Sequence, residues 1–313
     1  MIPLNDPRRG RVMLRRHLLE EGYDDRAIAR RVQAGDWVRI RHGAYTDKEG
    51  WNRLDEGGRH ALVVRAAVAQ SKTEVVVSHA SGTPFFDAPT WGLCLELVHV
   101  TRTDGRTGRC EAGVRQHRGA IVEGDLVERD GLIVMSPTRL ALEVTTVASV
   151  EASLCVVSHL LHTRQTTAAA LQERYELMKQ WPDSLHTDLV LRLSDHRFES
   201  VGEARTYHLC FREGLPMPVP QYEIKDENGN VIHRVDFAWP ELGVFLEFDG
   251  FVKYEKLLKE GQRASDVVVA EKRREEEICR LTGWRCIRIV WADLASPAVT
   301  AAKIRRVLAH RAI

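Results

Sequence analysis

Four carboxylates carry the first chemical signal in the chain: Glu203, Asp236, Glu247 and Asp249. Asp236, Glu247 and Asp249 lie within or at the end of two apolar runs, residues 231–239 and 244–248. Those runs are rich in β-branched and aromatic residues, and the Pro-Glu-Leu-Gly break at 240–243 makes them two strands joined by a tight turn. Side chains alternate across a strand, so Glu247 and Asp249 share a face, roughly 7 Å apart along it. Val244, Leu246 and Phe248 point the other way, toward a core. An acid this close to core residues is costly to desolvate unless something positive pairs with it. A divalent cation is the candidate, because clustered hard oxygen ligands suit Mg²⁺ or Mn²⁺. Taken singly, each acid reads as the solvated face of a surface hairpin. Taken as a set with Glu203, they read as a metal site.

The elements that must position these acids follow from residue 200 onward. Ser200 caps a helix with Glu203 near its N-terminus; Val201, Leu209 and Phe211 point toward a sheet, and Gly214 ends the helix. A strand over 221–225, a polar turn at 226–230 and the central pair come next. Residues 251–262 form a charged connector, 266–281 a helix carrying Lys272, Arg273 and Arg274, and 284–291 a last strand. The order is αβββαβ.

This arrangement of Glu203, Asp236 and Glu247-Phe248-Asp249-Gly250 resembles the PD-(D/E)xK nuclease superfamily, and within it the branch related to very-short-patch repair endonucleases. Gln221, the run at 235–240 and the Gly-Trp-Arg-Cys-Ile-Arg run at 283–288 also carry the resemblance, which spans about residues 199–294. It implies metal-dependent hydrolysis of phosphodiesters, with Asp236 and Glu247 as principal ligands and Glu203 completing the shell. One departure stands out. The superfamily's lysine two residues after the glutamate is Asp249 here, so Lys272 or Lys253 is expected to supply the missing positive charge.

The N-terminal stretch, residues 8–45, reads as a helix-turn-helix followed by a β-wing. Met13, Leu14, Leu18 and Leu19 form a helical stripe, Asp24 or Asp25 caps a second helix, and Gly35 closes it. Arg26, Arg30 and Arg31 lie on or beside that helix, and Arg39 and Arg41 fall on one face of the alternating run at 37–41. Such a helix enters a major groove while wing arginines neutralise phosphate. The pattern at 35–39 and 42–45 resembles the N-terminal winged helix of AbiEi-like antitoxins of type IV toxin–antitoxin systems. That resemblance implies DNA as a partner, and a cognate toxin or other defence-system protein as a second one.

Between these ends lie a helix at 59–70, strands at 74–78, 95–101 and 114–117, and a helix opened by Ser136 and Pro137. This middle region looks like the companion domain that follows the winged helix in such proteins. Ser78-His79 invites a Ser/His catalyst, but neighbours on a strand face opposite ways and no acid frames them. The loop at 102–118, with five arginines, reads either as further phosphate contacts or as a solvated loop. Helices at 150–161, 166–179 and 184–193 bridge to the end of the chain.

The fold class is therefore α/β multidomain: a winged helix at 1–50, an α+β middle domain at 51–149, a helical linker region at 150–195 and a PD-(D/E)xK-like domain at 196–313. Its 313 residues, 44% hydrophobic and 28% charged, are those of a globular protein of more than one domain. A net charge of +1 excludes a wholesale polyanion binder, so any nucleic-acid contact is local. No apolar run is long enough to span a bilayer, and residues 1–10 lack a signal-peptide core. The six cysteines show no zinc spacing and the 13 histidines no metalloprotease pattern, so free thiols in a reducing cytoplasm are expected. The function expected is a Mg²⁺-dependent DNA endonuclease delivered by its winged helix, in phage defence or repair. The alternative is a DNA-binding regulator or antitoxin whose nuclease-like domain is inactive; an RNA substrate is a third class, and oligomeric state is not legible.

Overall fold

The computed structural model describes Asp6, residues 9–250 and residues 264–309, the side chains of 264–271 excepted. It is a mixed α/β chain with three sheets, and it divides into two compact units, residues 1–192 and 193–313.

The first unit opens with β1 (Met13–Leu14), α1 (Arg15–Glu20), α2 (Asp25–Gln33), β2 (Trp37–Arg41) and β3 (Ala44–Asp47). The strands form an antiparallel sheet in the order β1-β3-β2. Asp24 caps α2 by accepting from the Ala27 amide, and Gly35 takes the left-handed φ of +81° that ends it. Met13, Leu18 and Ile28 meet Tyr23, Trp37 and Tyr45 in a small core.

After α3 (Lys48–Asn52) and α4 (Glu56–Gln70) comes a six-stranded sheet. It is built from β4 (Val75–Val77), β5 (Val98–Arg102), β6 (Cys110–Glu111), β7 (Val114–His117), β8 (Leu126–Arg129) and β9 (Leu132–Met135). Their order is β6-β7-β5-β4-β9-β8, with β4/β9 and β5/β7 parallel. β8 and β9 form a hairpin that turns at Asp130-Gly131, both at positive φ, the backbone a two-residue primed turn requires. A 3₁₀ helix, His79–Phe86, is wholly buried between sheet and helices.

Four helices complete the unit: α5 (Pro137–Val144), α6 (Val150–His162), α7 (Ala168–Glu176) and α8 (Thr187–Leu193). Ser136 precedes α5 without a side-chain cap, and Pro137 supplies the preset φ of its first turn. Residues 150–193, read from sequence as a bridge, are packed into the middle core: Val156, Leu160, Leu171, Tyr175, Met178 and Val190 share one cluster with Val64, Val77 and Val134.

At the centre of that core lies a fully buried arginine. Arg139 donates to Glu143 at 2.8 Å, to Asp125 at 3.3 Å and to the Ala120 carbonyl at 3.2 Å, and its guanidinium lies 4.1 Å from the Trp181 ring centre. Arg174 clamps the other side of Asp125 through two bonds of 2.7 and 2.8 Å. Burial pushes the Glu143 carboxyl above its ordinary range, and Arg139 opposes that shift.

The second unit contains α9 (Val201–Arg212), β10 (Val219–Lys225), β11 (Val231–Trp239), β12 (Val244–Asp249), α10 (Ala264–Thr282), β13 (Arg285–Val290), α11 (Trp291–Leu294) and α12 (Pro297–Ala309). The sheet runs β10-β11-β12-β13, antiparallel except for the parallel β12/β13 pair. Ala238 and Phe245, a registered pair, pack with Ile278 of α10. Phe237 and Leu246, the next pair, face the other way, where Phe237 meets the rings of Phe198 and Tyr207. Covered on both faces, the centre of this sheet is apolar without alternation. On α9, Leu209 is buried as expected, whereas Phe211, two positions and about 200° further round, is exposed.

Removing Arg139 strands the buried Glu143 and leaves Asp125 to Arg174 alone. Arg139→Ala is expected to lower unfolding stability by about 3–5 kcal/mol, measured by urea denaturation; a loss below about 1 kcal/mol would show that the network does not hold the first unit.

Candidate active site of the second unit

Glu203 is set by the start of α9. Ser200 caps the helix by accepting from the Glu203 amide at 3.2 Å, and its hydroxyl donates back to Glu203 Oε1 at 2.7 Å. The Glu199 amide (3.1 Å) and Gln221 Nε2 (2.7 Å) both donate to Oε2. Gln221 stands within β10 at φ +49°, a left-handed backbone that a residue other than glycine adopts only under local strain. The strained residue in this strand is thus the one that holds Glu203.

Close packing brings α9 to β12. A Cβ built on Gly202 would lie 1.9 Å from the Phe248 ring, so only hydrogen fits there. Phe248 also meets Trp291 edge-on at 5.1 Å. Its own amide donates to Asp236 Oδ2 at 2.8 Å, tying β12 to the acid on β11.

Glu247 and Asp249 lie on the face of β12 that looks toward α10. Glu247 is ion-paired with Arg274 of α10 and stands in register with Arg288 of β13. Arg288 Nη1 lies 3.5 Å from Asp249, and its Nη2 donates to Glu275 at 2.7 Å. These side chains line a cavity of about 230 Å³, together with Glu199, Gln221, Arg234, Phe248 and Gly250. Five carboxylates there face three guanidiniums, a negative balance that attracts cations.

Burial pushes the Glu247 carboxyl up to about 7; the Asp236 charge adds to this and Arg274 opposes it. Glu203 is likewise raised, by burial first and then by Asp236. Both therefore sit where a positive partner is short. The acids do not form a closed cage, however. Among the described residues, only His79, His99 and His117 of the first unit form a group of three or more His, Cys, Asp or Glu side chains with ligand atoms all within 4.8 Å of one another.

The structure brings Asp236, Glu247 and Asp249 to one cavity, with Glu203 bonded to its lining residue Gln221. Lys272 is exposed and does not line that cavity, and Lys253 lies outside the described residues. A two-residue step turns a helix by about 200°, so with Arg274 facing the sheet Lys272 faces away. Arg274 and Arg288, rather than Lys272, stand beside the carboxylates. Their signal in the sequence was present: Arg274 lies four residues before the buried Ile278, on the same helix face.

The basic residues of the first unit separate into two groups. Arg26, Arg30 and Arg39 are exposed. Arg31 is paired with Asp36 at 2.7 Å and lies over Trp37. Arg39 and Arg41 do not present one uniform face, because the β2/β3 register shifts between them. Arg41 is half-buried and donates to the Ala112 carbonyl at 3.3 Å.

Gly202→Ala is expected to destabilise the second unit by about 1–3 kcal/mol through overpacking, read by thermal melting; an unchanged melting point would mean that α9 can withdraw from Phe248 freely. A carboxyl raised from 4.5 to about 7 binds a proton more tightly in the folded chain than in the unfolded one. Its contribution to stability is complete below about 4.5 and is lost as pH rises through about 7. In EDTA, wild type is therefore expected to lose more thermal stability between those two values than Glu247→Gln; parallel curves would remove Glu247 as the source.

Two uncharacterized proteins from two strains of Mycobacterium tuberculosis are similar to this chain, each 30% identical over 118 residues, 37% of this chain. The match covers 40% of each relative's own length. The chain matches no protein-family model.

Proposed function

We propose that the protein is a divalent-metal-dependent DNA endonuclease, with residues 196–313 as a PD-(D/E)xK-like domain and residues 1–50 as a winged helix that engages duplex DNA. The observation that carries this reading is the net-negative cavity that joins Asp236 of β11 to Glu247 and Asp249 of β12, where burial first and the Asp236 charge second raise Glu247. The order α9-β10-β11-β12-α10-β13, with Glu203 at the start of the helix, supports it.

The donor set fits the ion. Carboxylate oxygens suit Mg²⁺ or Mn²⁺, and a divalent charge would relieve the shortage of positive partners at Glu247 and Glu203. Asp236 and Glu247 would hold it, with Glu203 joining directly or through water. When bound, such an ion supplies a water of lowered pKa and charge neutralisation at the scissile phosphate. Gln221 and Ser200 orient Glu203. Arg274 and Arg288 are within the cavity to receive a phosphate oxygen, which takes over the part of the absent lysine. Arg26, Arg30 and Arg39 remain available for the DNA backbone.

A second reading, a DNA-binding regulator or antitoxin with an inactive nuclease-like domain and a toxin as partner, is favoured by one observation. Arg274 already neutralises Glu247, and Asp249 occupies the lysine position.

Plasmid and single-stranded DNA incubated with Mg²⁺ or Mn²⁺ are expected to be cut, with EDTA abolishing cutting and Asp236→Ala reducing it by roughly 100-fold or more. A folded wild type that cuts nothing, yet binds duplex DNA through Arg30 and Arg39, would select the regulator instead.

A further inference from the structure

We infer that the first unit holds a transition-metal site, formed by His79, His99 and His117 beside Glu143, with an open position facing a cavity of about 390 Å³. The three residues come from separate elements: the start of the buried 3₁₀ helix, β5 and β7. Thr101, not His99, is the registered partner of His117, and His99 lies two residues before Thr101. Both imidazoles therefore leave the same face of the sheet.

Their nitrogens converge. All three ligand atoms lie within 4.8 Å of one another, and His99 Nδ1 is 2.9 Å from His117 Nε2. Two nitrogens on one tetrahedral zinc ion sit roughly 3.3 Å apart, given bonds of about 2.0 Å. Small side-chain rotations thus suffice to place an ion between them. The rings of His79 and His117 are stacked at 3.7 Å, a close approach that two charged imidazoles would resist. Burial keeps all three neutral, His117 down to about 3 and His99 to about 4. The neutral imidazole is the ligating form.

A supporting shell is already built. His79 Nδ1 lies 2.9 Å from Ser78 Oγ and 3.5 Å from Glu143 Oε2, which leaves Nε2 for an ion. Ser78 accepts from Thr101, and Glu143 is fixed by Arg139 and by the His79 amide. His79 itself is held at φ +52°, left-handed strain at a buried residue other than glycine. Three imidazoles select Zn²⁺, Co²⁺ or Ni²⁺ over Mg²⁺, so this site and the carboxylate cavity of the second unit take different ions.

The open side is chemically specific too. Arg115, Arg118 and Arg139 line the same cavity, and among the described residues the buried Nη2 of Arg139 has no hydrogen-bond partner. A three-histidine ion with a fourth position toward guanidiniums is arranged to receive an anionic ligand, such as a carboxylate or phosphate group.

The test is Co²⁺ titration of the EDTA-stripped full chain, read by visible absorption and by imidazole ¹⁵N shifts of the wild type under Zn²⁺. Wild type and Asp236→Asn are expected to bind about one equivalent with the intense bands of a four-coordinate site, displaced by Zn²⁺. His117→Gln, at a half-buried position, is expected to bind at least about tenfold more weakly. Absence of saturable binding to the wild type would overturn the inference, as would unshifted imidazole resonances or binding of equal strength in a folded His117→Gln. Binding of inorganic phosphate alone, equal with and without Zn²⁺, would make the cavity an anion site and overturn it equally.

Discussion

A carboxylate removed from water must be answered by a cation, a hydrogen-bond donor or a proton, and each unit is organised around how it answers. In the first unit two guanidiniums answer directly: Asp125 and Glu143 are clamped by Arg139 and Arg174, although burial still raises Glu143. In the second the answer is partial. Glu247 has Arg274 but remains raised, and Glu203 relies on a hydroxyl, an amide and a side-chain amide. A raised carboxyl therefore marks a cavity in each unit: Glu143 lines the one beside the histidines and Glu247 the one beside Asp236.

Strain falls where that shortage is managed. Gln221 and His79 both adopt left-handed backbone conformations although neither is glycine, and each orients a group at a cavity. Gly202 works by the opposite device, giving up a side chain so that α9 can reach Phe248 and bring Glu203 toward Asp236. Local departures from easy backbone or full packing therefore mark the positions where the fold serves the site.

The acids and their elements were legible in the sequence because strand alternation and helix capping are local rules. Asp236, Glu247 and Asp249 lie on the expected strand pair, and Ser200 caps the helix of Glu203. The cations were less legible, since Lys272 and Arg274 differ only by rotation about α10, which burial of Ile278 decides. The β8/β9 hairpin was missed although Asp130-Gly131 is a strong turn signal. The histidine cluster had no linear pattern to find: its members are separated by about twenty residues each, and only the parallel β5/β7 pairing and the 3₁₀ helix bring them together. The different settings of Arg39 and Arg41 are hidden for a similar reason, because a register shift is invisible to simple alternation.

The parallel pairing of β12 with β13 also sets an order of assembly. Antiparallel β10, β11 and β12 are joined by short turns and can zip from nearby sequence. β13 can dock only after the chain has crossed over and α10 has packed, and Arg288 and Arg274 arrive with those two elements. During synthesis, then, the acidic strands precede their counter-charges. A nascent second unit carries an anionic edge with Arg234 as its cation, and the C-terminal segment brings Arg274 and Arg288 to offset part of the remaining charge.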